Sequence, residues 1–272
     1  MKETKDGKKF VKRILIGIAI LVVLLITVVL IYIGGIKLRI NTHPGNAGTY
    51  SAQLSKRNEH SLLNGKKIIF LGSSVVYGAH SKEESFVEYL EKEDGILSIK
   101  EALSSTTLVD QEVFGRASYI TRLKTIDTTA EVDAFVCQLS TNDATLKKPL
   151  GEMTDSFDKE DFDTQTVTGA IEYIIAYAKE TWNCPVIFFT GTQYDSEQYE
   201  LMVDRLLEIA DKWDIDVIDL WHDIDVKDIS ESDYNLYMSD GIHPTRAGYR
   251  DWWTPKFREN LIKYLDLENK NL

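Results

Sequence analysis

The sequence predicts an α/β protein, a three-layer α/β/α sandwich around a five-stranded parallel sheet, preceded by one transmembrane helix. Two observations predict this fold class. An uncharged apolar run near the N-terminus is long enough to cross a bilayer. From Lys66 onward, short apolar segments alternate with segments whose apolar residues recur at helical spacing. Apolar strands that alternate with helices in this way are typical of a parallel sheet covered on both faces.

The apolar run extends from Ile14 to Ile36 and contains no charged residue. As a helix it would be about 34 Å long, since each residue adds about 1.5 Å. A cleaved signal peptide would have a shorter apolar region followed by a small-x-small site, and a buried core helix would normally keep a polar face. We therefore interpret 14–36 as a retained membrane anchor. The basic residues within 1–13 predict that the N-terminus stays in the cytoplasm and that the rest of the chain lies outside the membrane.

The segment 37–65 is polar and interrupted by proline and glycine, which predicts a stalk between the membrane and the domain. The domain then spans 66–272. Its five predicted strands are the segments KIIFLGS, ILSIKEAL, DAFVCQLS, PVIFFTGT and DVIDLW. The main predicted helices are the segments EESFVEYLEKED, TVTGAIEYIIAYAKETW, SEQYELMVDRLLEIADKW and TRAGYRDWWTPKFRENLIKYL. In the last of these helices, Pro255 predicts a kink or a break.

The charge distribution excludes some classes of partner. Residues beyond the first 39 carry 23 of the 31 Lys and Arg and 41 of the 43 Asp and Glu, a net charge of −18. Nucleic-acid binding needs a basic surface, so we expect no nucleic-acid partner for this domain. An anionic lipid surface would repel it as well, and we expect membrane association only through the N-terminal helix.

Polar residues follow several of the predicted strands, at the edge where parallel sheets bind ligands. Ser73 and Ser74 follow the first strand, and Asn142 follows the third. Near the C-terminus, Asp240 and His243 stand three residues apart. Each of these residues alone is common in turns and helix caps. Together they supply what serine hydrolysis needs: a nucleophile, a base, a group that orients the base, and a donor for the oxyanion.

In these segments the chain resembles the SGNH, or GDSL-type, serine hydrolases, and its nearest resemblance is to bacterial members. The segments FLGSS, LSSTT, QLSTNDA and SDGIHPTRAGY correspond to the four conserved blocks of that family and cover most of the predicted domain. The resemblance implies a flavodoxin-like fold and a nucleophile at Ser74, with Asp240 and His243 completing the triad. It also implies an oxyanion hole formed by the backbone N–H groups of Ser74 and Ser105 and by the side-chain amide of Asn142. No cofactor or metal is implied.

Two departures from the family pattern bear on these roles. Ser73 replaces the usual aspartate of the first block, and Ser105 stands where the family has a glycine. Any residue except proline supplies the N–H that the oxyanion hole needs, but a glycine can also adopt backbone dihedrals that other residues avoid. Among the other histidines, His222 is the main rival for the role of base. We do not expect His80 to face back toward Ser74, since it comes only six residues later at the start of a helix.

The resemblance implies an esterase that hydrolyses carboxylic esters through an acyl-enzyme, and the apolar run 14–36 predicts that this esterase is extracytoplasmic and tethered to the membrane. An external acidic domain suits cell-envelope or environmental polysaccharide esters, so O-acetyl groups on glycans are the preferred substrate. Three alternatives stay open. The domain could be a lysophospholipase, an acyltransferase, or a non-catalytic surface protein that binds a glycan or a partner on the same fold.

Overall fold

The computed structural model of the protein describes residues 5–267. The first four residues of the predicted basic N-terminus and residues 268–272 of the predicted domain lie outside the described part. The chain divides into two compact units, 1–42 and 43–272.

The described part of the first unit forms one helix, α1, Lys5–Thr42, which extends beyond both ends of the predicted span 14–36. From Phe10 to Leu38 its apolar side chains are exposed. By length and composition the stretch Phe10–Thr42 can cross a membrane. A signal sequence near an N-terminus would have the same length and composition.

The second unit contains one five-stranded sheet with the strand order β2-β1-β3-β4-β5, in which every neighbouring pair is parallel. This sheet confirms the predicted fold class. Because β2 and β3 lie on opposite sides of β1, the direction of winding reverses between β1 and β3, and a crevice forms there at the carboxyl ends of the strands. The strands are β1 Lys67–Gly72, β2 Leu97–Ala102, β3 Ala134–Gln138, β4 Val186–Phe189 and β5 Asp216–Ile218.

Helices cover both faces of this sheet. The apolar residues of each strand alternate between two cores: Ile69 and Leu71 face one, whereas Ile68 and Phe70 face the other. The helices are α2 Ser74–Tyr77, α3 Phe86–Asp94, α4 Tyr119–Leu123, α5 Thr141–Thr145, α6 Val167–Trp182, α7 Glu197–Trp213, α8 Ile224–Lys227, α9 Glu231–Tyr237, α10 Arg246–Gly248 and α11 Thr254–Tyr264. The first core includes residues of α4, α6 and α7, and the second includes residues of α2, α3 and α11.

The predicted break at Pro255 takes the form of a change in helical winding. The turn Tyr249–Trp253 between α10 and α11 is a π-helix, and Pro255 lies in the first turn of α11. Proline has no N–H to donate to the preceding turn, and a wider turn lets the helix continue past it.

The structure differs from the predicted stalk, 37–65. From His43 onward this segment belongs to the second unit, and it forms three short 3₁₀ turns, Pro44–Asn46, Gly48–Tyr50 and Ala52–Leu54. Ala52 and Leu63 are buried in the second core, and the backbone N–H of Ala52 donates to the Glu84 carboxylate at 2.9 Å. The sequence did not indicate this packing, because such short turns carry no helical or strand periodicity.

Candidate active site

Ser74 lies in a tight turn between β1 and α2. A Cβ atom at Gly72 would lie 2.2 Å from Cγ2 of Val76 and 2.9 Å from Oε1 of Gln138, so only glycine fits there. The backbone N–H of Ser73 donates to the same Gln138 oxygen at 2.9 Å, and the Ser73 side chain is fully buried. The turn therefore directs Ser74, which is 8% exposed, toward the carboxyl edge of the sheet. Ser73 therefore stabilises the turn through its hydrogen bond to Gln138.

The structure brings Ser74, His243 and Asp240 into one hydrogen-bonded chain. Oγ of Ser74 lies 2.8 Å from Nε2 of His243, and Nδ1 of His243 lies 3.0 Å from each carboxylate oxygen of Asp240. The short spacing from Asp240 to His243 supports this geometry. Oδ1 of Asp240 accepts the backbone N–H groups of Ile242 and His243, each at 2.8 Å, and these bonds fix the turn that presents the imidazole.

The surroundings of Asp240 keep its carboxyl group ionised. Burial by itself would raise the pKa of this group, but the hydrogen bond and the charge interaction with His243 lower it. The backbone N–H groups of Ile242 and His243 act in the same direction, and the pKa of Asp240 lies well below its usual range. An ionised carboxylate at Nδ1 holds the imidazole in the tautomer that leaves Nε2 free to accept a proton from Ser74.

His222, the rival for the role of base, is oriented by a different carboxylate. Its Nδ1 lies 2.7 Å from Oδ2 of Asp219, and its side chain is 45% exposed. Within residues 5–267, no hydrogen bond joins His222 to Ser74. The sequence offered two His–Asp pairs, and only the pair of His243 and Asp240 lies at the serine.

His80 lies at this site, contrary to the expectation from the sequence. Its ring stacks on that of His243 with centroids 4.1 Å apart and 24° between the planes, and its Nδ1 lies 3.2 Å from Oδ2 of Asp240. The expectation was wrong because α2 is only four residues long. Its C-cap residue, Gly78, has a φ of 81° and turns the chain back. A glycine so soon after the helix start was the signal available in the sequence.

The nitrogen and oxygen atoms of His80, Asp240 and His243 that could bind a metal ion lie within 4.8 Å of one another. A metal bound by two histidines lies in the plane of each ring, about 2.0–2.1 Å from the nitrogen. The rings of His80 and His243 are stacked nearly parallel, so an ion in the plane of one ring would lie out of the plane of the other. This geometry fits two donors to one carboxylate better than two ligands of one metal.

The two other residues assigned to the oxyanion hole lie on loops after β2 and β3. Ser105 has a φ of 64°, a left-handed conformation in which glycine is unstrained, which explains why the family has a glycine at this position. Within residues 5–267, the backbone N–H groups of Ser74 and Ser105 donate no hydrogen bond, so both are available to a ligand. Asn142 donates one amide hydrogen to the carbonyl oxygen of Thr106 at 2.9 Å. Within residues 5–267, its second amide hydrogen donates no hydrogen bond.

Two buried charged residues support the loop that carries Ser105. The carboxylate of Asp143 accepts the backbone N–H groups of Leu108 at 2.8 Å and Val109 at 3.1 Å. Burial raises the pKa of Asp143 to about 6, although these hydrogen bonds favour the ionised form.

On the other side of the loop, the guanidinium of Arg122 donates to the carbonyl oxygen of Gly72 at 2.9 Å and to Oγ1 of Thr106 at 3.1 Å. Arg122 therefore links the turn that carries Ser74 to the loop that carries Ser105. Nothing in the sequence pattern singled out this arginine.

A cavity of about 430 Å³ lies on the same rim of the sheet, between the loop after β4, the start of α7 and Trp221. None of the triad residues lines it, but Tyr194, which does, lies beside the triad loop: a Cβ at Gly241 would be 3.7 Å from Cβ of Tyr194. The other lining side chains are polar or acidic: Gln193, Asp195, Ser196, Glu197 and Glu200.

Comparison with known proteins bears on the whole domain. Residues 70–250 match the model of the GDSL-like lipase/acylhydrolase family, a range that includes Ser74, Asn142, Asp240 and His243. No curated protein matched the chain.

Several solved structures share the fold at low sequence identity. A protein from Lactobacillus plantarum is 16% identical with a TM-score of 0.58, over 75% of this chain and 97% of its own. A protein from Chitinophaga pinensis described as a possible lipase is 16% identical with a TM-score of 0.53, over 74% of this chain and 99% of its own. The acetyl xylan esterase AlAXEase is 18% identical with a TM-score of 0.50, over 72% of this chain and 100% of its own.

Proposed function

Because the chain belongs to the GDSL-like lipase/acylhydrolase family, we propose that it is a serine esterase in which Ser74, His243 and Asp240 hydrolyse a carboxylic ester. One observation carries the proposal: Oγ of Ser74 lies 2.8 Å from Nε2 of His243, whose Nδ1 faces the Asp240 carboxylate at 3.0 Å. This is the geometry in which an imidazole can take the proton of a serine hydroxyl as the serine attacks.

In the acylation step, Oγ of Ser74 forms a bond to the ester carbonyl carbon while Nε2 of His243 accepts its proton. The carbonyl π electrons move to the oxygen and give a tetrahedral oxyanion. Collapse of this intermediate breaks the bond to the leaving alcohol, which takes the proton from Nε2. Asp240 stabilises the imidazolium that exists between the two proton transfers, because its carboxylate stays ionised beside Nδ1.

Deacylation repeats these steps with water as the nucleophile. Nε2 of His243 removes a proton from water, the hydroxyl adds to the acyl carbon, and the carboxylic acid leaves as Ser74 is reprotonated. In both steps the oxyanion would be bound by the N–H groups of Ser74 and Ser105 and by the second amide hydrogen of Asn142. These donors are held in place before the substrate arrives, so they stabilise the transition state without reorganisation.

We propose that the substrate is an O-acetylated glycan outside the cell. Two observations support it: the polar and acidic side chains of the cavity beside the triad loop suit a sugar better than an acyl chain, and the structurally similar AlAXEase is an acetyl xylan esterase. A long acyl chain would need an apolar channel. A series of p-nitrophenyl esters tests the acyl side: we expect kcat/KM to be highest for acetate and to fall with chain length, whereas a maximum at eight carbons or more would favour a lipid substrate.

The proposal places α1 in the cell membrane with the N-terminus in the cytoplasm, supported by its apolar stretch and by the basic residues that precede it. Protease added to intact cells should then remove the catalytic domain. If the domain is cut only after the cells are lysed, the orientation is wrong. If the mature protein lacks the first 40 or so residues, α1 is a signal sequence.

A non-catalytic binding protein on the same fold is the alternative from another class. Ser73 and Ser105 favour this alternative, because both depart from the family pattern. A fluorophosphonate probe distinguishes the two, because it reacts only with an activated serine. We expect the wild-type protein to be labelled and Ser74→Ala to remain unlabelled; an unlabelled, folded wild-type protein would favour the binding role.

A further inference from the structure

His80 adds a second imidazole to the candidate triad. Its ring stacks on His243 at 4.1 Å, and its Nδ1 lies 3.2 Å from Oδ2 of Asp240 and 3.2 Å from Oγ of Ser239. We propose that His80 is a positioning residue that holds the Asp240 carboxylate and the His243 ring in their working orientation. This inference rests on the proposed esterase function, because it assigns His80 a part in the same proton transfer.

The position of His80 is fixed by the fold. The side-chain amide of Asn46 donates to the carbonyl oxygen of His80 at 2.7 Å and accepts the backbone N–H of Arg246 at 2.9 Å. Asn46 is fully buried, and Arg246 follows His243 by three residues. A single amide thus clamps together the two loops whose imidazoles stack. A second clamp is the ion pair between Glu84 and Arg246 at 2.7 Å, both of which are mostly buried.

The hydrogen bonds of Asp240 leave a defined role for His80. Oδ1 accepts two backbone N–H groups of its own turn, whereas Oδ2 faces Nδ1 of His243 at 3.0 Å and Nδ1 of His80 at 3.2 Å. With a hydrogen on Nδ1, His80 donates to Oδ2 and keeps the carboxylate from rotating about its Cβ–Cγ bond. The carboxylate then stays aligned with His243 as the imidazolium forms.

Three variants separate donation from stacking. His80→Ala removes both, His80→Phe keeps a flat ring that can stack but cannot donate, and His80→Asn places an amide donor near the position of Nδ1. We expect kcat to fall by about 10–100-fold in the Ala and Phe variants with little change in KM, since small misalignments of a reacting group cost rates of this order. His80→Asn should recover most of the loss. His222→Ala, which disrupts an exposed His–Asp pair elsewhere, is the matched control and should not reduce kcat.

The proposal is overturned if His80→Ala keeps wild-type kcat, or if the folded Ala, Phe and Asn variants lose activity equally. A wild-type protein that is neither labelled by fluorophosphonate nor active would instead overturn the esterase function itself.

Discussion

Oγ of Ser74 and Nε2 of His243 lie 2.8 Å apart, although 169 residues separate them in the chain. Ser74 begins α2 immediately after β1, and His243 lies in a loop directly before the helical run that ends the domain. The hydroxyl of Tyr249, one helical turn beyond that loop, donates to the carbonyl oxygen of Val75 at 2.7 Å. This hydrogen bond joins the last helical run to the turn that carries Ser74. The packing of distant segments therefore holds the side chains of Ser74 and His243 together.

This contact predicts which of the two adjacent serines reacts. Ser74→Ala should abolish both ester hydrolysis and fluorophosphonate labelling, because it removes the hydroxyl that lies 2.8 Å from Nε2 of His243. Ser73→Ala should leave the label in place, since the N–H of Ser73 still donates to Gln138. Active-site titration with the probe, followed by peptide mapping of the labelled serine, measures both outcomes. A label that persists in Ser74→Ala would contradict the assignment.

A second prediction concerns stability and pH. The folded protein holds a proton on Asp143 more tightly than the unfolded chain, because burial raises the pKa of this group from 3.8 to about 6. Asp143 therefore contributes more to the free energy of unfolding at pH 4 than at pH 7, and this contribution is lost as the pH rises through about 6. The difference between the two pKa values corresponds to about 3 kcal/mol at most.

Asp143→Asn isolates this contribution, because an amide does not titrate. The variant offers one acceptor to the two N–H groups of Leu108 and Val109, so it should be destabilised by about 1–3 kcal/mol. Urea unfolding of both proteins at several values between pH 4 and pH 7 gives the comparison. The wild-type advantage should be greater at pH 4 than at pH 7; an advantage that is independent of pH would mean that Asp143 is ionised throughout this range.

The sequence predicted the sheet because apolar strands and amphipathic helices repeat with regular periods. It singled out Ser74, Asp240 and His243 as candidates through their positions in predicted loops and through the resemblance of their segments to conserved blocks. Arg122 was not singled out, because its contacts arise only when distant loops meet. For His80 the sequence offered one local signal, Gly78, but its contacts with Asp240 and His243 also depend on a distant loop. The packing of His43 and the residues after it was missed for a similar reason: their hydrogen bonds go to residues such as Glu84 and Arg246, far away in the sequence.

That packing predicts a sharp dependence on where a soluble fragment begins. A fragment that starts at His43 keeps Asn46, Ala52 and Leu63 and should fold and hydrolyse esters as the full-length chain does. A fragment that starts at Lys66 exposes part of the second core and frees the loop of His80. We expect its thermal midpoint to fall by several degrees and its kcat to fall by at least about tenfold. Equal midpoints and equal rates for the two fragments would show that 43–65 is only a tether.

The last prediction separates side-chain from backbone donors in the oxyanion hole. Asn142→Ala removes the amide hydrogen that we propose binds the oxyanion and should lower kcat by about 10²–10³, or roughly 3–4 kcal/mol, with little change in KM. Because Asn142 also donates to the carbonyl oxygen of Thr106, the loss could include a movement of the loop. Asn142→Asp controls for shape: it has no amide hydrogen, its charge repels the oxyanion, and it should be at least as inactive as the alanine variant.

The proposal assigns Ser105 a role through its backbone N–H alone, and Ser105→Gly tests this because it keeps the N–H and removes the side chain. The φ of 64° costs a serine about 1–2 kcal/mol that a glycine does not bear, so Ser105→Gly should lose little stability in spite of its more flexible unfolded chain. Its kcat should stay within about tenfold of wild type, because the N–H remains. Proline is not a clean probe here, since its φ near −65° cannot reproduce this turn.

Steady-state kinetics on a short acyl ester, with circular dichroism to verify folding, measures all three variants. If Ser105→Gly loses as much activity as Asn142→Ala while remaining folded, the serine side chain takes part in the reaction and the backbone assignment is wrong.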